Sequence, residues 1–133
     1  MSESQRIQLN HGEVRVVVSG PDDGRPLLMI HGLSYPLEVW DAVTDDLADA
    51  GYRVVRFDLY GRGRSGWDGT PLTTEVMAEQ GLEVLDALGF SGAVHLISMS
   101  NADLIALSLA AMEPGRVRSI VMVAPSGADP RTM

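Results

Sequence analysis

Polarity along the chain first alternates, then gathers into short apolar runs, and between those runs recurs at helical spacing. Arg6-Ile7-Gln8-Leu9-Asn10 alternates and Val14-Arg15-Val16-Val17-Val18 nearly does, with turn chemistry at Asn10-His11-Gly12 between them. The chain is therefore expected to open on a β-hairpin. Pro21-Asp22-Asp23-Gly24 is a second turn. Beyond it come Leu27-Leu28-Met29-Ile30, Arg53-Val54-Val55-Arg56-Phe57, Ala93-Val94-His95-Leu96-Ile97 and Ser119-Ile120-Val121-Met122-Val123. Short runs of this kind between loops predict parallel strands buried on both faces.

The intervening segments read as helices. Leu37 to Ala50 places Trp40, Val43 and Leu47 at spacings of three and four, and Gly51 follows as a stop. Thr73 to Leu88 gathers Met77, Gly81, Val84, Leu85 and Leu88 on one face, with Gly89 next. Asn101 to Met112 is apolar nearly all round, which predicts a helix packed in the interior. Strands alternating with helices imply β-α-β units with right-handed crossovers. The fold class is α/β, a mostly parallel sheet flanked by helices, with no internal repeat or linker.

Composition narrows the function. The 133 residues, 45% hydrophobic and 21% charged, suit one globular domain with a real core. A net charge of −8, with every basic residue an arginine, argues against a nucleic-acid partner. The absence of cysteine removes disulfides, zinc-thiolate sites and thiol catalysis. Met1-Ser2-Glu3-Ser4-Gln5-Arg6 lacks the apolar core of a signal peptide, and no run approaches the ~18 residues of a membrane span. A cytoplasmic protein with no membrane span, metal or cofactor is expected.

Ligands of parallel sheets bind beyond the carboxyl ends of the strands, and three such ends carry unusual residues. They are Ile30-His31-Gly32-Leu33-Ser34, Phe57-Asp58-Leu59-Tyr60 with the glycine loop Gly61 to Gly66, and Ile97-Ser98-Met99-Ser100-Asn101-Ala102. Gly61, Gly63 and Gly66 match the dinucleotide spacing, but Trp67-Asp68-Gly69-Thr70-Pro71 follows where a helix should open, so a tight loop is the better reading. At the third end a strand runs into Ser100 and a helix starts directly after it. A nucleophilic serine on such a turn needs small residues two positions to each side, and Ser98 and Ala102 are both small. Helix-end N–H groups would favour an oxyanion there. On this segment alone, Ser100 is equally readable as a helix cap.

Leu28-Met29-Ile30-His31-Gly32, Trp40-Asp41, Gly51 through Ser65, the turn at Ser100 and Arg116 through Pro125 together resemble the first half of an α/β-hydrolase-fold protein. The nearest branches are small-molecule esterases, monoacylglycerol-lipase-like enzymes, proline iminopeptidases and carbon–carbon bond hydrolases. The resemblance implies that Ser100 is the nucleophile and that the backbone N–H groups of Leu33 and Asn101 form the oxyanion hole. It implies that His31 shapes the oxyanion loop, and that Asp58 and the Gly61–Ser65 loop are structural. His95 is expected to be a packed strand residue. Residues 1–133 would make the N-terminal part of the domain, about six of about eight core strands, ending where a cap domain begins.

Ser98 and Ala102 stand where this family usually has glycine. Asp103 puts a carboxylate in the helix's first turn, favourable to the helix dipole and adverse to an oxyanion. A serine of this type needs a histidine base oriented by a carboxylate, in the order Ser, Asp or Glu, His. His11, His31 and His95 all precede Ser100, and only Asp103, Glu113 and Asp129 are carboxylates after it. Asp129 is the candidate acid. The expected function is serine-type hydrolysis of a small-molecule ester, amide or carbon–carbon bond, with the isolated chain nearly inactive. The alternatives are a non-catalytic binding module, and completion by a homodimer or a complementing chain at the exposed sheet edge.

Overall fold

A computed structural model describes residues 2–125. The hairpin is present as β1 (Ser2–Leu9) and β2 (Gly12–Ser19), followed by β3 (Arg25–Ile30), α1 (Asp41–Asp49), β4 (Tyr52–Phe57), α2 (Thr74–Ala87), β5 (Val94–Met99), α3 (Ala102–Met112) and β6 (Val117–Val123). The sheet order is β1-β2-β4-β3-β5-β6. Strand β2 runs antiparallel to β1 and β4, whereas β4, β3, β5 and β6 are mutually parallel. The mostly parallel α/β sheet is the one expected.

Alternation along the strands sorts their side chains into two layers. Leu28, Ile30, Val55, Phe57 and Leu96 point to the side where α2 and α3 supply Met77, Val84, Leu85, Ile105 and Leu109. Leu27, Met29 and Val54 point the other way, beneath Trp40 and Leu47. Thr73 starts α2 by accepting the Val76 N–H on its hydroxyl, the capping role its residue type favours.

Three expectations need correction. The segment from Leu37 to Ala50 is a 3-10 turn over Leu37–Trp40 and only then α1, because the Val39 and Asp41 N–H groups bond carbonyls three residues back, at Pro36 and Glu38. Helix α3 is not interior: Leu107 is 48% and Met112 38% exposed, since α2 and the sheet cover only one side of it. Strand β6 is not buried on both faces, for Val121 is 53% exposed. On that face α1 packs chiefly on β4, with a lesser contact to β2, and leaves β6 uncovered. Met29, Trp40, Leu47, Ile97, Val121 and Val123 consequently border an open apolar groove of about 480 Å³. Val43, expected on the buried side of α1, is 42% exposed at this groove.

The loops at the ends of β3 and β4 are locked by two buried polar residues. The Asp58 side chain is wholly inaccessible and accepts from Arg15 Nε at 2.7 Å, the Leu37 N–H at 2.8 Å and the Arg64 N–H at 2.9 Å. Arg15 also makes a two-pronged contact with Glu38, at 2.6 and 2.7 Å. That contact holds the Glu38 carboxyl down to about 2 and pushes Arg15 further above its ordinary value. Gly63, at φ +54, lies so close that a Cβ would overlap the Asp58 carboxyl. The Gly61–Ser65 loop is therefore a collar around this carboxylate, as the structural reading expected.

His31 is equally inaccessible. Its Nε2 accepts the Leu59 N–H at 2.9 Å, so the proton sits on Nδ1, which donates to the Gly32 carbonyl at 2.6 Å. Burial lowers its pKa from the ordinary 6.5.

Asp58→Ala strands the buried Arg15 Nε and two backbone N–H groups, and urea unfolding should show a loss of about 3–5 kcal/mol. Glu38→Gln, at a half-exposed carboxylate, should cost about 1 kcal/mol or less. Because the folded His31 resists protonation, its contribution to stability is complete above pH 6.5 and declines below it, where the unfolded chain takes up the proton. Urea titrations between about pH 7 and about pH 5 should show this decline, and His31→Gln should lack the His31 part of the slope.

Candidate active site

Strand β5 and helix α3 meet at Ser100, whose φ of +55° lies in the left-handed region. A serine pays about 1–3 kcal/mol for such a conformation and keeps it only where its surroundings impose it. The Ser100 N–H donates to the Val123 carbonyl at the end of β6, at 2.8 Å, and the Ser100 carbonyl accepts the Asp103 N–H at 3.2 Å. Ala124, directly after Val123, is the other non-glycine residue with positive φ among the described residues. Strain is thus concentrated on both sides of one hydrogen bond.

The residues flanking the turn are small for a packing reason. Ser98 and Ala102 are both fully buried, and the Ser98 hydroxyl has no hydrogen-bond partner among the described residues. Its size rather than its polarity suits it to the position. Ser100 itself does not cap α3: Asn101 is the N-cap residue, and its side chain makes no capping bond. Asp103 is 1% exposed, and its Oδ1 accepts the adjoining Leu104 N–H at 2.8 Å, so the carboxylate is folded into the first turn of α3.

The loop after β3 closes against this turn. A Cβ on Gly32 would stand 3.6 Å from Ser100 Cβ and 3.2 Å from the Tyr35 ring, so glycine permits the approach. Next to it, the Leu33 N–H donates to Asn101 Oδ1 at 3.1 Å. The Leu33 carbonyl accepts from Arg62 Nε at 3.2 Å. Leu33, 68 residues from Asn101 in sequence, is thereby a neighbour of the Ser100–Asn101 turn at the carboxyl end of the sheet. Asn101 begins α3, and N–H groups of a first helical turn have no acceptors within the helix. The arrangement has the parts for nucleophilic attack and for stabilising a negative oxygen.

The three histidines have other partners. His31 is held by Gly32 and Leu59. His95, half-buried on β5, pairs its Nδ1 with the Ser119 hydroxyl at 2.6 Å and sets its ring edge-on to Tyr52. His11 contacts Asp68 and Thr70 beside the first hairpin. Asp129 lies outside the described residues. Among the described residues no group of acidic or histidine side chains could hold a metal ion, and no helix is long and apolar enough to cross a membrane.

Sequence reasoning passed over two residues. Arg62 was read only as part of the glycine loop, yet it holds the Leu33 carbonyl. Gln80 is fully buried and bridges the Tyr60 N–H and the Asp58 carbonyl, both at 3.1 Å. A polar residue on the apolar face of α2 was the available signal for Gln80.

Comparison with known proteins identifies the fold family. The chain is 34% identical over 104 residues to a non-heme chloroperoxidase of Streptomyces lividans, covering 78% of this chain and 38% of the relative. It is 32% identical over 123 residues to the dihydrolipoyllysine-residue acetyltransferase component of an acetoin cleaving system from Pseudomonas putida, covering 92% and 33%. The crystal structure of naproxen esterase from Bacillus subtilis superimposes with a TM-score of 0.86 at 28% identity, covering 95% of this chain and 44% of the esterase. The chain thus spans less than half the length of each. The family model for the alpha/beta hydrolase fold matches residues 25–133, and with the sheet order and the turn at Ser100 it places this chain in the alpha/beta hydrolase family.

Proposed function

We propose that this chain carries the nucleophile and the oxyanion donors of a serine-type hydrolase for a small-molecule ester, amide or activated carbon–carbon bond. The observation that carries the reading is the strained Ser100 backbone, at the tip of β5 and against the Gly32–Leu33 loop. For an ester, Ser100 Oγ would attack the carbonyl carbon, and the resulting oxyanion would lie between the N–H groups of Leu33 and Asn101. Collapse of the tetrahedral intermediate would expel the alcohol and leave an acyl-Ser100, which water then hydrolyses.

Attack requires a base to take the hydroxyl proton, and histidine usually supplies it. No histidine follows Ser100, and the three that precede it are engaged elsewhere. The reading therefore assigns the base to another segment or another polypeptide, with Asp129 a candidate for the orienting acid. The 133 residues alone should turn over very little substrate. They should still react slowly and stoichiometrically at Ser100 with a fluorophosphonate, detected by intact mass, and Ser100→Ala should abolish the adduct. Modification elsewhere, or none, would sink the assignment. Rapid Ser100-dependent hydrolysis of p-nitrophenyl acetate would overturn the missing base.

The open groove and the outer edge of β6 favour association. Val121 and Val123 are 53% and 39% exposed, and β6 has no outer neighbour among the described residues. A strand edge beside an apolar face pairs readily with another chain. We propose that a second copy or a complementing chain pairs there. Light scattering should give a mass above that of the monomer, lowered by Val121→Arg; a monodisperse wild-type monomer would refute the pairing of two copies.

A further inference from the structure

Asparagine is among the residues best suited to cap a helix, accepting an N–H from the first turn on its side-chain oxygen. Asn101 holds the N-cap position of α3 without doing so. Its backbone is helical there, at φ −69° and ψ −6°, instead of extended. The carboxamide reaches across to the Leu33 N–H, 68 residues away in sequence. Since an N–H is the donor, the atom facing it must be the oxygen. An amide carbonyl oxygen of the protein thus occupies, at 3.1 Å, a donor that the proposed chemistry requires for a substrate oxygen.

We infer that the Asn101 side chain is an internal competitor for the oxyanion donor at Leu33, and that a substrate carbonyl or tetrahedral oxyanion must displace it. The inference rests on the proposed role of Ser100 and the Leu33 N–H. Asn101 then has two separable parts. Its backbone N–H is an oxyanion donor, and its side chain keeps the other donor satisfied while the site is empty. An acceptor also keeps the Leu33 N–H aimed, with Arg62 holding the same residue's carbonyl. Displacing the carboxamide reduces the affinity of any ligand that uses this N–H by the fraction of molecules in which the donor is free. A net neutral hydrogen bond corresponds to about a two- to tenfold reduction.

Phenylboronic acid tests this, because its adduct with a serine hydroxyl is a tetrahedral anion. In the ligand-free chain, Asn101→Ala should shift the Leu33 amide resonance and speed its hydrogen exchange. The Leu59 amide, bonded to His31, should stay unchanged. Asn101→Ala should bind phenylboronic acid about two- to tenfold more tightly than wild type, and the added Ser100→Ala should abolish binding in both. Asn101→Asp keeps an acceptor and adds negative charge, so it should bind more weakly than wild type. Asn101→Ser can cap α3 but is shorter than Asn, so it should behave as alanine does and keeps the test readable if Asn101→Ala disturbs the helix. An unmoved Leu33 amide would overturn the inference. Ser100-dependent binding that is equal or weaker in Asn101→Ala would make the side chain a strut instead of a competitor. Binding that ignores Ser100 in every variant, or no binding at all, would remove the Ser100 assignment and this inference with it.

Discussion

The carboxylate of Asp58 is the constraint on which the functional end of the molecule depends. A charge with no access to water is tolerable only if positive charge and hydrogen-bond donors surround it. Arg15 from β2, the Leu37 N–H before α1 and the Arg64 N–H from the glycine loop meet that demand. The need to satisfy one buried anion thereby fixes three segments relative to the tip of β4. The Asp58 carbonyl extends the same network to Ser65 and Gln80. Gly63 is a consequence, because only a residue without a side chain lets the loop close around the carboxyl.

The loop beside Ser100 inherits its position from that network. His31 ties the end of β3 to Leu59, directly after Asp58, and Arg62 reaches from the collar to the Leu33 carbonyl. Leu33 therefore receives its placement from one side through Arg62 and from the other through Asn101. A neutral His31 is part of this design: a proton on Nε2 would remove the acceptor for Leu59 and place a charge where no water can reach it.

How much of this was legible in the sequence depended on whether the physics was local. The hairpin, the parallel strands and α2 follow from alternation, apolar runs and the Thr73 cap, and each appeared close to its expected place. The turn at Ser100 was half legible: Ser98 and Ala102 showed tight packing, whereas the cap reading of Ser100 fell only with Asn101 standing at the N-cap position. The partners of Asp58 and the Asn101–Leu33 contact were not legible, because residues 43 and 68 positions apart leave no periodic trace. The exposure of Val43, Leu107 and Val121 was hidden for another reason. Hydrophobic spacing reports which side of an element could be buried, not whether a further layer lies over it.

The hydrogen bond between Ser100 and Val123 has a mechanical consequence. It joins the left-handed backbone of Ser100 to the final residue of β6. A twist or slip of β6 moves the carbonyl against which Ser100 is braced, and so re-aims its hydroxyl. Any contact along that rim would thereby be felt at the Ser100 side chain.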